Sequence, residues 1–197
     1  MKKKYLSVGL ILATMAFTAC NDGTTDTTTT TDSTTMTMDN DDNMSTTNSS
    51  MPLNAMDQEF VMKAAKGGMM EVEASTIAQE NAQSQRVKDL ATMIQRDHTN
   101  ANAELKGFAS SRGITIPEDS LRMLNKPHLD EMRNMKGKAF DNHYIDMMKT
   151  DHNKDINEFE KAANECNDAD LKAWAAKTLP VLKMHKDSVE AVSKAEM

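Results

Sequence analysis

From residue 57 onward, apolar and polar positions alternate with the period of an α-helix and nowhere with that of a strand. The first stripe predicts a helix from about Asp57 to Gln83, with Phe60, Ala64, Gly67, Gly68, Glu71, Ser75 and Ala78 on one face. Ser84 is placed as the N-cap of a second helix carrying Val87, Ala91, Ile94, His98, Ala101, Leu105 and Phe108, and Gly113 closes it. The stretch "ITIPEDSLRMLNKPHLDEMRNMKGK", broken by Pro117 and Pro127, predicts a crossover with short helices. A third long helix is expected over about Ala139 to Asn164, with Ile145, Met148, His152, Ile156, Phe159 and Ala163 facing inward. "NDAD" then starts a fourth, with Leu171, Trp174, Thr178, Leu182, His185, Val189 and Val192. Short first and third connections and a long middle one predict an all-α, ferritin-like four-helix bundle over residues 57–197, the alternative being an irregular helical domain.

Each stripe is interrupted by one strong potential ligand: Glu71, His98, His152 and His185. Two of them sit in a near-repeat, "MIQRDHTNANAEL" at Met93–Leu105 and "MMKTDHNKDINEF" at Met147–Phe159. Antiparallel packing sets Glu71 and His98 at nearly one height, with His152 at a comparable depth. Counted from the turn near Cys166, His185 overshoots His152 by roughly five residues, or about 7–9 Å, and Pro180 adds an expected kink.

Two readings of this set stay open. In one, an Asp-His-Glu-Tyr network satisfies its own hydrogen bonds and fixes helix register. In the other, three imidazoles and a carboxylate hold a Zn, Fe or Mn ion, Asp97 and Asp151 orient imidazoles on neighbouring helices, and Tyr144 supplies a phenol. The positions three before the histidines are Gln95, Lys149 and Leu182, so the Glu-x-x-His pairs of di-iron carboxylate bundles are absent. His128 and His143 are expected at the surface, and the methionines at helical spacing as adaptable core.

Residues 1–19 read as a leader: Lys2, Lys3 and Lys4, an apolar Leu6 to Phe17, then Thr18-Ala19 before Cys20. The apolar run falls short of the roughly 20 residues a permanent span requires. Small residues before a single cysteine resemble a bacterial lipoprotein signal, with Phe17 where leucine is usual; an ordinary secretory peptide is the alternative. Lipid on Cys20 would leave Cys166 as the one mature thiol, too few for an internal disulfide framework. Residues 20–56, rich in Thr, Asp, Asn and Ser, bury almost nothing and read as a disordered tether. Met36 and Met38 within it are too isolated to make a soft-metal site.

Loss of the three leader lysines moves the formal net charge from −7 to −10. With no basic block or aromatic-basic stretch, nucleic acid is excluded as a partner, as is a polybasic membrane-surface helix. Membrane attachment would run through the lipid. The chain carries no Gly-x-Ser-x-Gly elbow, no phosphate loop, and no cysteine with a positioned base.

Phe-Val-x-x-Ala-Ala-x-Gly-Gly from Phe60, Glu-Val-Glu from Glu71, the Asp-His pair at Asp97, Phe-Asp-x-x-Tyr from Phe140 and Leu-Pro-x-Leu-x-x-His from Leu179 occur in order. In these motifs, from about Asp57 to Val192, the chain resembles the bacterial family called domain of unknown function 4142. That resemblance implies a ferritin-like helical fold in an exported, often outer-membrane-associated protein, and leaves activity unassigned. The expectation is an envelope lipoprotein facing periplasm or surface, a binding or stress-related module with no enzymatic turnover assigned. The alternatives are a metal-binding or redox protein on the Glu/His cluster, and an adaptor that binds a partner through its outer faces.

Overall fold

The computed structural model describes residues 52–196; the leader, Cys20 and nearly all of the tether lie outside the described residues. Five helices follow one another, α1 (Ala55–Asn81), α2 (Gln85–Ser111), α3 (Glu118–Asn134), α4 (Gly137–Glu165) and α5 (Ala169–Glu196), with no strand among the described residues. α1 packs along α2 and α4 along α5 as two hairpins; α1 also meets α3 and α4, and α2 meets α5.

Local chemistry sets the helix ends. Gly113, at φ 69°, ends α2 in the left-handed conformation, with its own N–H bonded to Ser110 and that of Ile114 to Ala109, both carbonyls of the last turn. Asp168 caps α5 by accepting the N–H groups of Asp170 and Leu171 at 3.0 and 2.9 Å. Ser84 occupies the N-cap of α2, but its hydroxyl turns away and donates to Glu196 at 2.6 Å.

The crossover departs from expectation. Its short helices are a single 17-residue helix, α3, that contains Pro127, and Pro117 is its N-cap. Proline frees the carbonyl four residues back; for Pro127 that residue is Met123, and for Pro180 it is Ala176. Both residues are exposed, so solvent can reach the freed carbonyls, and both helices continue. Asn81, at the end of α1, donates to the Met132, Arg133 and Met135 carbonyls and closes the C-terminus of α3.

Two buried aspartates tie the hairpins together. Asp57 accepts the N–H groups of Asn167 and Asp168 in the α4–α5 turn at 2.9–3.2 Å. Asp141 accepts those of Gln83 and Ser84 in the α1–α2 turn, both at 2.9 Å. Each hairpin therefore fastens the other's turn. Buried apolar side chains fill two clusters, one around Ile94, Phe140 and Met148, the other around Phe60, Leu105 and Phe159. The ionisable cluster lies among the same inward positions.

Candidate metal centre

Glu71, His98, His152 and His185 come from α1, α2, α4 and α5, and all four are buried. The three imidazoles are close neighbours, with ring centroids 5.2–5.6 Å apart. One nitrogen from each lies within 4.8 Å of the others. The expected 7–9 Å overshoot of His185 is corrected: its Nδ1 is 3.2 Å from His152 Nε2.

Side-chain lean accounts for the difference. His152 precedes the last residue of α4 by thirteen, while His185 follows the first residue of α5 by sixteen. Glu71 and His98 show the same stagger, ten and thirteen. Every helical side chain tilts toward its own N-terminus. In an antiparallel pair the nearer one therefore leans away from the turn and the farther one toward it. A stagger of three residues, roughly 4.5 Å of rise, closes in this way.

Two of the outward ring nitrogens have hydrogen-bond partners on the protein. His185 Nε2 lies 3.0 Å from Asp97 Oδ2, and Arg96 binds the same carboxylate, its Nε donating to Oδ1 at 2.7 Å. His152 Nδ1 lies 2.9 Å from the Met148 carbonyl oxygen. His98 Nδ1 faces Glu71 Oε2 at 3.0 Å, and Glu71 Oε1 is 3.3 Å from His152 Nδ1. Neither contact of Glu71 has hydrogen-bond alignment, so both carboxyl oxygens are buried without a partner, as is His98 Nε2.

The electrostatics are those of a buried, uncompensated site. Burial, then Asp155 and Asp151, raise the Glu71 carboxyl well above its ordinary range. Burial and the neighbouring imidazoles push His98 well down, His152 falls to about 4, and burial lowers His185 against the pull of Asp97. Glu71 and His98 are thus near enough for an ion pair, yet burial disfavours the charged form of both. The Arg96 hydrogen bond, followed by that of His185, keeps Asp97 low and ionised.

Three expectations need correction. Asp151 orients no imidazole; it lines a groove between α1, α3 and α4. Successive helical residues point about 100° apart, which carries Asp97 toward α5 but carries Asp151 toward α1 and α3. Tyr144 supplies no phenol to the histidines: its hydroxyl pairs with Ser75 Oγ at 2.9 Å. His128 and His143 are not surface residues. Both are half-buried with rings 5.3 Å apart, and His143 Nε2 is enclosed without a partner. The two glycines also differ: a Cβ at Gly68 would fall on the Asn102 carboxamide of α2, whereas Gly67 opens toward the groove.

Sequence reasoning missed Asp57, Asp141 and Asp155. The pattern Asp-x-x-[Phe/Tyr] at Asp57–Phe60 and Asp141–Tyr144, near the starts of two helices, could have signalled the first two. Asp155 lines the groove with its carboxyl pushed up to about 6, chiefly by burial and then by Asp151.

Comparison with known proteins sets this site in context. Residues 42–192 match domain of unknown function 4142. The chain belongs to the DUF4142 family. The match begins at residue 42, ahead of the motifs that start near Asp57, and so takes in the end of the Thr-rich segment. A DUF305 protein from Streptomyces coelicolor, inferred to be secreted, has a similar solved structure (TM-score 0.61, 14% identity, covering 72% of this chain and 93% of that one). A DUF305 fragment from Deinococcus radiodurans is similar to the same degree (TM-score 0.61, 13% identity, 72% and 97%). No curated protein matches the chain. At these identities the likeness to DUF305 concerns the fold alone.

Proposed function

We propose that this DUF4142 domain binds a divalent first-row transition-metal ion of the Zn, Fe or Mn class through His98, His152 and His185. A proton count along the buried chain carries the reading. Asp97, His185, His152 and the Met148 carbonyl are joined by contacts of 3.0, 3.2 and 2.9 Å. Three links need three protons, and two neutral imidazoles supply two. With both ring protons directed outward, to Asp97 and to Met148, the lone pairs of His152 Nε2 and His185 Nδ1 face each other. A third proton is opposed by the lowered pKa of both rings. A metal ion between the inward nitrogens, with the unpartnered His98 Nε2 as third ligand, removes the conflict.

In this reading Glu71 and Asp97 stand behind the ligands. A bound dication would restore the charge on Glu71, and the two carboxylates would balance it. Three ligands on three helices leave a coordination position free. The role assigned is metal holding.

The finer architecture belongs to the same proposal: α1, α2, α4 and α5 form a ferritin-like four-helix bundle, with α3 carried on the long crossover. So does location. The leader pattern and Cys20 support an exported, lipid-anchored protein of the envelope, outer membrane included, and the secreted description of the Streptomyces coelicolor protein agrees in kind. Among the described residues no helix is long and apolar enough to cross a membrane. Fractionation of Cys20→Ala tests the anchor: release into the soluble fraction is expected, and retention after a high-salt wash rules it out.

Metal analysis and thermal melting of the purified protein test the centre. Zn(II) or Fe(II) should raise the melting temperature by mass action on the folded state, and His152→Ala and His185→Ala should abolish the rise. A wild-type melting temperature indifferent to every divalent ion would leave the register-fixing network as the function of these residues.

A further inference from the structure

His128 on α3 and His143 and Met147 on α4 meet in the groove of about 730 Å³ between α1, α3 and α4. His128 Nε2 lies 3.0 Å from Met147 Sδ. The two imidazoles are 5.3 Å apart, inclined by 34°, a separation inside the 5.2–5.6 Å range of the three-histidine cluster. His143 Nε2 is enclosed without a hydrogen-bond partner. His143 and Met147, four residues apart, share one face of α4.

A thioether is a weak hydrogen-bond acceptor. Asp146 and Asp151 line the same groove, and as acceptors for an imidazole N–H they are far better. His128 nevertheless turns its Nε2 to sulfur. Two imidazoles and a thioether make a soft donor set, matched to a monovalent d10 ion and poorly matched to hard dications. Asp146, Asp151, Asp155 and Glu158 outnumber the three lysines along the groove, and a cleft of that sign concentrates cations.

We infer that His128, His143 and Met147 form a second cation site, selective for a soft monovalent ion of the Cu(I) class. The site does not depend on metal binding by the three histidines. Its donors belong to other residues and prefer a different ion. The two sites are nevertheless joined in space, because Glu71 also lines this groove.

Silver(I), a redox-inert stand-in for Cu(I), serves as the probe. The full chain is titrated in chloride-free buffer and followed through methionine methyl resonances, which separate Met147 from the other methionines. The expected result is a saturable shift of the Met147 methyl. Its affinity should fall at least tenfold in Met147→Leu, which keeps side-chain volume, and in His128→Gln, at a half-buried position. His152→Ala should leave it unchanged, which separates this site from the inner one. Excess Zn(II) should not displace the silver. A Met147 methyl that stays still at saturating silver, an unaltered affinity in both groove variants, or displacement by Zn(II) would each overturn the assignment.

Discussion

Asp57 and Asp141, near opposite ends of α1, are as deeply buried as Glu71 midway between them: 1%, 3% and 1% exposed. Their surroundings differ completely. Each aspartate accepts two backbone N–H groups from a helix-helix turn, and the turns lead into α2 and α5, whose N-termini favour negative charge. Glu71 accepts nothing, stands among imidazoles that have lost their charge, and is itself pushed toward the neutral acid. Burial alone therefore says little about what a carboxylate does. Satisfaction of its oxygens separates a fastening from a carboxyl group left without partners.

Removing a fastening should have the largest effect. Asp57→Ala or Asp141→Ala leaves two turn N–H groups without a charged acceptor, and chemical denaturation should show a loss of about 3–4 kcal/mol. Metal in the buffer should not alter that loss. An aspartate variant whose cost disappears when metal is added would erase the distinction.

Acid should act on the central site to a similar extent. The His152 imidazole sits at about 4 against an ordinary 6.5. The stability it contributes is present above pH 6.5 and lost as pH falls through about 4, amounting to about 3 kcal/mol. His98 and His185 are shifted in the same direction. Glu71 works oppositely, its contribution being present below pH 4.5 and lost as the pH rises above that. Melting temperatures of the metal-free protein from pH 7 to 4 should fall, and bound metal should delay the fall. A flat profile over that range in Glu71→Gln, which lacks the opposing group, would mean that the histidines are not buried as described.

Glu71→Gln sharpens the comparison by splitting its two readouts. Burial already favours the neutral acid in the metal-free protein, so stability there should change by less than about 1 kcal/mol. Metal affinity should drop roughly 10–100-fold once the charge behind His98 and His152 is gone. Competition with a chromophoric chelator measures it. A large stability loss without metal would place Glu71 with the aspartates.

The smallest effect is expected at Tyr144→Phe, which leaves Ser75 alone in the core at a cost of about 1 kcal/mol and should not change metal affinity. A change in affinity would return the phenol to the site.

How much of this was legible in the sequence depends on the range of the interaction. Helix limits, the closing role of Gly113 and the inward placement of Glu71 and the three histidines follow from spacing along one helix, and they could be read directly. Whether Asp97 or Asp151 supports an imidazole depends on which helix lies about 100° around from each histidine, and a single chain does not print that. Pro127 could be taken for a break until α3 was seen to run through it. The His128–Met147 contact joins helices that approach each other only in the finished fold.

The reciprocal tie between the hairpins has a further consequence. Asp57 of the first hairpin holds the second one's turn, and Asp141 of the second holds the first one's. This is the pattern of a symmetric dimer interface, in which each half offers what it receives. The offset from residue 57 to residue 141 also carries Phe60 onto Tyr144 and Glu71 onto Asp155. Two halves matched in this way, joined through a single helix, can exchange partners between chains. If the segment around α3 opens, the α4–α5 hairpin of one molecule can close onto the α1–α2 hairpin of another with both ties remade, and concentrated protein refolded from denaturant is where such exchanged pairs should collect.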